Sequence, residues 1–383
     1  MYKNSILKTA SLDTSIFYVC LFVLTIINEL PRVYFFSNID ALNGIFRLLQ
    51  ISIYICLFAL VLCKRYKISQ LVIFVIAIAI LGIGYYESDN GAFVSAFLLI
   101  CASKDFYFES IIKVCGSAVA FVFCISISLY VLNISNPGDF RRNGLSLGYV
   151  HPNIAAQVIF ILLMIYLACK HNNLLVKDYV VIIIVFLFVY TITGSRTTAI
   201  LILLCPIVIP VNKFFVKHKS KIAMLFISLL QFIVFLFSVF SAKLLPQYSA
   251  LKKLDLILSN RLFLNYYALS HNPMSLLGKK IDFSADGLVY NDIQNVYNAK
   301  VTLDSTYILG LLSFGIIPFA IFLLVYVYIV WKFFKYNNYL LITICALLAV
   351  YAFSESQMVQ IYNFFVYFAV LTKIPSLVAK ETN

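Results

Sequence analysis

Long apolar stretches recur along the whole of this 383-residue chain, and each is closed by a small cluster of polar residues. Stretches of roughly 17 to 25 apolar residues are long enough to cross the hydrocarbon core of a bilayer as helices. Hydrophobic residues make up 63 % of the sequence and charged residues only 12 %, which is far from the balance of a soluble domain. The pattern predicts an all-α polytopic membrane protein.

We predict about 12 transmembrane helices in a single integral membrane domain, residues 1–383. The first apolar run ends in NELPR and not in a small-residue cleavage site, so we interpret it as a span and not as a signal peptide. The predicted spans are 12–30, 43–63, 69–86, 91–103, 107–132, 153–169, 178–194, 198–212, 222–242, 305–331, 339–353 and 359–377.

Positive charge is distributed unevenly between alternate connections. Lysine-rich connections such as KRYK (64–67), NKFFVKHKSK (212–221) and KFFK (332–335) alternate with connections that carry few positive residues. By the positive-inside rule the lysine-rich side is cytoplasmic, and so are both termini. One connection, residues 243–304, is much longer than the others and is predicted to lie outside.

The cysteines give no sign of a disulfide framework. All nine lie within or beside apolar runs, and the polar connections contain none. Buried in apolar surroundings, a free cysteine behaves as a small hydrophobic residue. We therefore predict neither disulfides nor a cysteine metal site.

Arginine is concentrated on the predicted outer side, whereas the inner side relies on lysine. Its planar guanidinium group stays charged and binds phosphate or carboxylate through two parallel hydrogen bonds, so this bias indicates an anionic ligand at the outer face. Snorkelling at the interface is the alternative for individual residues. Arg65 is the cytoplasmic exception, Arg47 lies towards the outer end of the second span, and the outer arginines are Arg32, Arg141, Arg142, Arg196 and Arg261.

The stretch RRNGLSLGYVHPN (141–153) stands directly before a long apolar run. Its glycines and prolines exclude a continuous helix, and Pro152 falls at the first turn of the next span, where a missing N–H is tolerated. We expect Arg141, Arg142, His151 and Asn153 to be held at the outer mouth of that helix. A capping or interfacial role for His151 is the alternative.

A second outer turn, TGSRTT (193–198), separates two apolar runs and contains Arg196. Hydroxyl groups surround this arginine, and the free N–H groups of the following helix lie beside it. This combination is a candidate anion site, although an ordinary hairpin turn remains the alternative.

The long loop 243–304 contains two further candidates. Arg261 begins an amphipathic segment with Leu262, Tyr266 and Leu269 on one stripe, which favours a helix lying on the membrane surface. His271 precedes an Asn-Pro turn, which favours a role in shaping the loop.

Carboxylates flank the last predicted outer connections. Asp304 stands where the chain re-enters the membrane, beside Tyr307, and Glu355 follows the penultimate span. Asp304 is either a helix N-cap or a general base whose pKa is tuned by partial burial or by an arginine. Glu355 either orients an arginine, binds sugar hydroxyls, or lies in a solvated turn.

In this order the motifs RRNGLSLGYVHPN, TGSRT, the Arg-headed helix with HNPMSLLG, LDSTYILGLLSFGII and FSES resemble those of the Wzy-type polysaccharide polymerases. These enzymes are relatives of the O-antigen ligases among the GT-C-like membrane glycosyltransferases. The resemblance extends from about Arg141 to Glu355. Each motif is weak alone, and their order and shared outer placement carry the likeness.

The resemblance implies a metal-independent glycosyltransferase in a bacterial cytoplasmic membrane. Its donor and acceptor would be undecaprenyl-diphosphate-linked oligosaccharides, polymerised on the outer face for surface polysaccharide. It implies no cofactor, nucleotide sugar or nucleic acid. A chain-length regulator protein is a further expectation of the family.

On this resemblance Arg196 and Arg261 hold the donor diphosphate, and Arg142, His151 and Asn153 shape the neighbouring pocket. The related ligases carry His-Asn where this chain has Asp304-Ser305, so their histidine base has no counterpart here. Asp304 becomes the candidate base for the acceptor hydroxyl, with His271 as the other candidate.

Two other functions remain open at this stage. An O-antigen-type ligase would transfer a finished glycan with similar chemistry, and the missing histidine argues against it. A flippase or other transporter of the lipid-linked repeat would favour internal repeats and ionisable groups near the bilayer midplane. We find no repeat in the sequence, and its charges cluster at the ends of the spans.

Overall fold

A computed structural model of the chain describes residues 12–136, 144–281 and 303–374, and within these ranges the secondary structure is helical without a regular strand. Three short 3-10 segments (Leu30–Arg32, Ser356–Val359 and Phe365–Val370) and one π-helical turn (Val189–Thr193) accompany the α-helices. The α-helices are α1 (Leu12–Glu29), α2 (Tyr34–Ser37), α3 (Asp40–Cys63), α4 (Ile68–Ser88), α5 (Ala92–Ala102), α6 (Phe108–Val131), α7 (Pro152–Ala168), α8 (Val176–Phe188), α9 (Arg196–Lys217), α10 (Lys221–Leu244), α11 (Ser249–Ile257), α12 (Arg261–His271), α13 (Thr306–Phe314), α14 (Ile316–Lys335) and α15 (Tyr339–Tyr351).

Eight helices in the described part of the chain are long and apolar enough to cross a membrane, as expected of a polytopic membrane protein. They are α1 with its 3-10 extension, α3, α4, α6, α8 with its π-helical turn, α9, α10 and α14. The predicted spans 91–103, 153–169 and 339–353 are the shorter apolar helices α5, α7 and α15.

Helices α7 and α15 form the centre of the bundle. Nearly every residue of both is buried, including the large side chains of Phe160 and Tyr351, whose rings contact each other at 4.6 Å between centroids. A helix that is apolar on all sides suits either a protein core or the lipid of a membrane, and here the neighbouring helices bury both. This explains why neither shows a polar face in the sequence.

The predicted span 305–331 is not one continuous helix. It breaks at Gly315, whose φ of 85° lies in the left-handed region, and continues as α14. The first N–H groups of α14 donate to the long loop: Ile316 N to Ser275 O and Ile317 N to Leu276 O, both at 3.0 Å. The break is thus closed by loop carbonyl groups that the sequence pattern does not identify.

The last predicted span, 359–377, also differs from a transmembrane helix. Up to Ile374, the end of the described residues, it consists of turns and 3-10 segments packed against α14. Lys332 Nζ donates to the carbonyl groups of Ala369 (2.6 Å) and Thr372 (3.1 Å), and the Phe322 and Tyr367 rings stack at 4.6 Å. Its apolar composition therefore reflects burial within the protein.

The two ends of the bundle differ in charge. At one end, here called the lysine end, Lys64 lies beside Lys104, and Asn172 bonds to Asn337, so that the connections after α3, α5, α7 and α14 meet there. At the other end, called the arginine end, Arg32 and Arg261 lie with the N-termini of α7 and α9.

The segment 144–151, just before α7, ties neighbouring parts of the arginine end together. Its backbone bonds to the π-helical turn (Leu145 N to Ile192 O, 2.8 Å) and to the 3-10 segment after α1 (Val150 N to Arg32 O, 3.0 Å). Gly148 makes the close packing possible: its φ is 88°, and a Cβ there would overlap the Ser126 carbonyl oxygen in α6.

We predict that Gly148→Ala lowers the stability of the protein by about 1–3 kcal/mol, because alanine is strained at this φ and clashes with Ser126. Thermal unfolding of the purified protein in detergent measures the loss. Gly82→Ala in α4 is the matched control, since a Cβ there meets nothing within 4 Å. Equal melting temperatures for the two variants would contradict the assignment.

Candidate functional site

A cavity of about 680 Å³ opens at the arginine end of the bundle. The N-terminus of α7, the turn after α1, the first turn of α12, the end of the long loop and the turn after α15 surround it. Its polar lining includes Arg32, His151, Asn153, Gln157, Arg261, Asp304 and Glu355. Segments distant in sequence thus place two guanidinium groups and two carboxyl groups around one space.

Arg261 is the first residue of α12 and is only 7 % exposed. Its Nη1 donates to Thr197 Oγ1 at 2.8 Å, while its Nη2 lies 3.6 Å from Glu355 and its Nε 3.8 Å from Asp304. Charge-assisted hydrogen bonds are typically about 2.7–2.9 Å long, so the guanidinium lies near both carboxyl groups without being fully bonded to either. Its buried Nε has no hydrogen-bond acceptor among the described residues.

The start of α12 is fixed by a buried aspartate. Asp255 Oδ1 accepts from Leu262 N at 2.7 Å and from Phe263 N at 3.3 Å, which satisfies two free N–H groups of the first turn. Ser259 and Asn260, both with positive φ, reverse the chain just before Arg261. This cap sets the position from which the Arg261 side chain enters the cavity.

Arg32 lies on another side of the cavity and is 8 % exposed. It donates to both carboxylate oxygens of Glu29 (2.7 and 2.9 Å) and to Gln157 in α7 (2.5 Å). Its Nε, like that of Arg261, lacks an acceptor in the part of the chain that the structure describes. The buried pair and the amide hold the guanidinium rigidly at the cavity wall.

The sequence did not predict Arg32 as a site residue, because a lone arginine after a span resembles an interfacial anchor. A usable signal was present in Glu29-Leu-Pro-Arg32. A carboxylate three residues before an arginine, at the end of an apolar run, forms an internal ion pair on a helical turn. In a membrane protein, such a pair indicates that the arginine side chain is held in place by its carboxylate and does not extend to the membrane surface.

Asp304 and Glu355 are brought together by the start of α13. Thr306 N donates to Ala352 O at 2.9 Å and Thr306 Oγ1 to Glu355 O at 2.5 Å, which locks the loop exit against the turn after α15. Ser305, and not Asp304, occupies the N-cap position of α13. The Asp304 carboxyl group is therefore available to the cavity, and the N-cap alternative does not describe it.

The two carboxyl groups differ in their surroundings. Burial raises the pKa of the Glu355 carboxyl to about 8, although the Arg261 charge opposes the rise and the Asp304 charge adds to it. Burial also raises the pKa of Asp304 above its ordinary value, with Arg261 opposing, but cavity solvent still reaches this side chain, which is 39 % exposed. Near neutral pH the pair can hold one proton, with Glu355 as its carrier.

His151 and Asn153 lie at the cavity mouth as the sequence predicted. His151 is the N-cap of α7, and its Nδ1 accepts from Asn153 N at 3.1 Å, with Pro152 at the first helical position. Both residues line the cavity. His151 therefore both caps α7 and lines the cavity.

Three predicted site residues lie elsewhere. Arg196 is exposed at the first position of α9 and does not line the cavity. Tyr307 is fully buried, and its hydroxyl donates to Ala349 O at 2.5 Å, so it packs in the core and does not contact a ligand. His271 ends α12, about 15 Å from Arg261 along the helix axis, where its Nδ1 lies 3.0 Å from Tyr267 O.

The anion site expected around Arg196 is not formed by the hydroxyl groups of its turn. Thr193 Oγ1 donates to Val189 O, and Thr197 accepts from Arg261. Ser195 bonds to Thr198, and Thr198 in turn bonds to Tyr351. These contacts instead build the wall that supports Arg261. Arg141 and Arg142 lie outside the described residues.

Among the described residues no group of His, Cys, Asp and Glu side chains has the arrangement of a metal site. The site consists instead of two fixed cations, a carboxylate that solvent reaches and a carboxyl group that retains its proton near neutral pH. Such a set can bind a polyanion and accept a proton from a hydroxyl group.

Comparisons with protein-family models, with curated proteins and with solved structures each found no match for this chain. The cavity geometry and the sequence motifs are therefore the observations that bear on function.

We predict that Glu355→Gln stabilises the protein at alkaline pH. Because the folded-state pKa of about 8 exceeds the ordinary value of 4.5, the wild type loses stability as the pH rises between these values. Glutamine removes this loss, which amounts to a few kcal/mol once Glu355 is ionised.

Melting temperatures at about pH 5 and about pH 8 measure the effect, and the variant should gain on the wild type only at the higher pH. Glu87→Gln, at an exposed position near the end of α4, is the control for a generic loss of one negative charge. A gain by Glu355→Gln that is the same at both pH values would contradict the raised pKa.

Proposed function

We propose that this protein is a membrane glycosyltransferase that polymerises undecaprenyl-diphosphate-linked oligosaccharide repeat units on the outer face of a bacterial cytoplasmic membrane. The observation that carries the proposal is the pair of buried guanidinium groups, Arg32 and Arg261, that face one open cavity at the arginine end of a membrane helix bundle. The motif resemblance to Wzy-type polymerases supplies the reaction class, which needs no metal.

The two arginines suit a diphosphate. Each keeps a buried Nε without an acceptor among the described residues, and Arg261 contacts its carboxylates only at 3.6 and 3.8 Å. A diphosphate between them would supply short, charge-assisted hydrogen bonds that these carboxyl groups do not. Fixed cations also stabilise the charge that develops on the leaving diphosphate, which lowers the barrier to transfer.

The carboxyl pair suits the acceptor. An acceptor sugar hydroxyl attacks the anomeric carbon of the donor, the bond from that carbon to the diphosphate oxygen breaks, and undecaprenyl diphosphate leaves with the electron pair. Asp304, which solvent reaches, takes the hydroxyl proton as general base. Glu355 stays protonated near neutral pH and positions Arg261.

The proposal also includes the side of the membrane on which the cavity opens. Lysine is concentrated at the end of the bundle opposite the cavity, which under the positive-inside rule is the cytoplasmic end, and the same rule assigns both termini to the cytoplasm. The cavity then opens to the outside, where lipid-linked repeat units would meet.

We predict that Arg261→Lys and Arg32→Lys each lower polymer formation by about 10²-fold or more, because lysine retains the charge but loses the planar fork. Arg196→Lys is the matched control at an exposed arginine outside the cavity, and it should retain most activity. Lipid-linked glycans are profiled in the native host, with protein level checked by immunoblot.

Single repeat units accumulating on the outer face, with long polymer lost, support a polymerase. Full-length polymer left on its lipid carrier would instead indicate a ligase, and units retained on the inner face would indicate a transporter. Loss of activity in Arg196→Lys alone would overturn the assignment of the diphosphate to this cavity.

We also predict that Asp304→Asn lowers the transfer rate by about 10²- to 10⁴-fold, as expected for loss of a general base. Glu355→Gln should retain far more activity at neutral pH, because glutamine mimics the protonated carboxyl group. Rates of polymerisation in detergent from lipid-linked repeat units are the measurement. The reverse ranking of the two variants would exchange their roles.

A further inference from the structure

A second cavity, of about 820 Å³, lies beside the first and is bounded by α1, α3, α5 and the end of α4. One short turn separates the two: Asn28 and Pro31 line the second cavity, and the adjacent Arg32 lines the first. The proposed glycosyltransferase chemistry makes no use of this second cavity.

Arg47 is the cation of the second cavity. It lies about 10 Å along α3 from Asp40, at the arginine end, on a helix apolar enough to cross a membrane. Its side chain is exposed and has no hydrogen bond or ion pair to any residue that the structure describes. A guanidinium group on the lipid side of a spanning helix is costly without a partner.

Polar and apolar lining groups follow each other along one stripe of α3. Asn43 and Gln50 flank Arg47, and Gln50 Nε2 donates to Asn28 Oδ1 at 2.9 Å. Further along, Ile55 and Phe58 line the cavity, 65 % and 41 % exposed. Arg47 and Phe58 are about 16 Å apart along the axis, which suits the length of one lipid chain.

The carboxylate in this lining does not offset Arg47. Asp89, at the end of α4, lies 3.9 Å from Lys280 Nζ and is not within ion-pair distance of Arg47. The charge of Arg47 therefore remains available to a ligand.

We propose that this second cavity binds one phosphate-bearing lipid, with its phosphate on Arg47 and its chain along Ile55 and Phe58. Charge complementarity selects the headgroup, and the adjoining apolar stripe selects a lipid over a free anion. The shared chemistry is a phosphate ester on a long hydrocarbon, either a phospholipid or an isoprenoid phosphate. The proposal does not depend on the reaction assigned to the first cavity.

Fluorescence quenching by brominated lipids tests the site in the full-length protein. Trp331 is the sole tryptophan and lies exposed on α14, outside the cavity, so Ile55→Trp in a Trp331→Phe background gives a local reporter. The probes are brominated-chain phosphatidylglycerol and brominated-chain glucosyl diacylglycerol, which lacks phosphate, in maltoside micelles.

We expect phosphatidylglycerol to reach half-quenching of this reporter at a mole fraction about fivefold lower than the uncharged lipid. Arg47→Gln should abolish this preference and Arg47→Lys should retain most of it. Equal quenching of the Ile55→Trp reporter by both lipids, or a preference that persists in Arg47→Gln, would overturn the proposal.

Competition identifies the source of the phosphate. Unbrominated farnesyl phosphate and unbrominated phosphatidylglycerol are added separately to the quenched complex, and the one that restores fluorescence at the lower mole fraction is the preferred ligand. Either result supports the site, and failure of both to restore fluorescence contradicts it.

Discussion

The arrangement of the arginine end depends on the burial of the Arg261 guanidinium group. A buried charge is tolerated only where neighbouring groups compensate it, and these groups come from three other parts of the chain. Thr197 at the start of α9, Asp304 at the loop exit and Glu355 after α15 all surround it. Their convergence explains why helices that are far apart in sequence leave a polar cavity at this end.

The buried charge of Arg32 is compensated in a different way from that of Arg261. Glu29 and Gln157 hold Arg32 through short hydrogen bonds, whereas Arg261 faces its carboxylates at longer distances. Arg32 is therefore held more rigidly at the cavity wall than Arg261, while the Nε of each lacks an acceptor among the described residues. The segment 144–151 bonds to the Arg32 backbone, so the glycine-containing segment before α7 sets the position of one of the two cations.

Much of the membrane architecture was predictable because span length and apolar composition determine it directly. The charge bias also predicted an arginine-rich end, and Arg261, Asp304 and Glu355, all predicted for the outer side, lie close together there. The break at Gly315 did not, because a glycine in an apolar run does not reveal which carbonyl groups will satisfy the backbone. The segment 359–374 was misjudged since burial within protein and burial in lipid favour the same residues.

The site residues show the same limit. Arg196 stands beside hydroxyl groups in sequence, but those groups bond elsewhere, and Tyr307 lies next to Asp304 along the chain while pointing into the core. Arg32 was overlooked because a lone arginine after a span resembles an interfacial anchor, and its other partner, Gln157, is distant in sequence. Proximity in sequence indicated which segments come together. Which side chains face the cavity depends on how these segments pack.

The interrupted helix at Gly315 has a consequence for how the chain matures. The carbonyl groups of Ser275 and Leu276 accept hydrogen bonds from the first N–H groups of α14, so a segment of the long loop packs as part of the membrane domain. This segment can adopt its final position only after α14, which follows it in the sequence, has been synthesised. The loop is therefore not an independent module that homologous exchange or domain grafting could transfer intact. A chimera would carry a replacement loop and the helix break together, or leave backbone groups unpaired within the membrane domain.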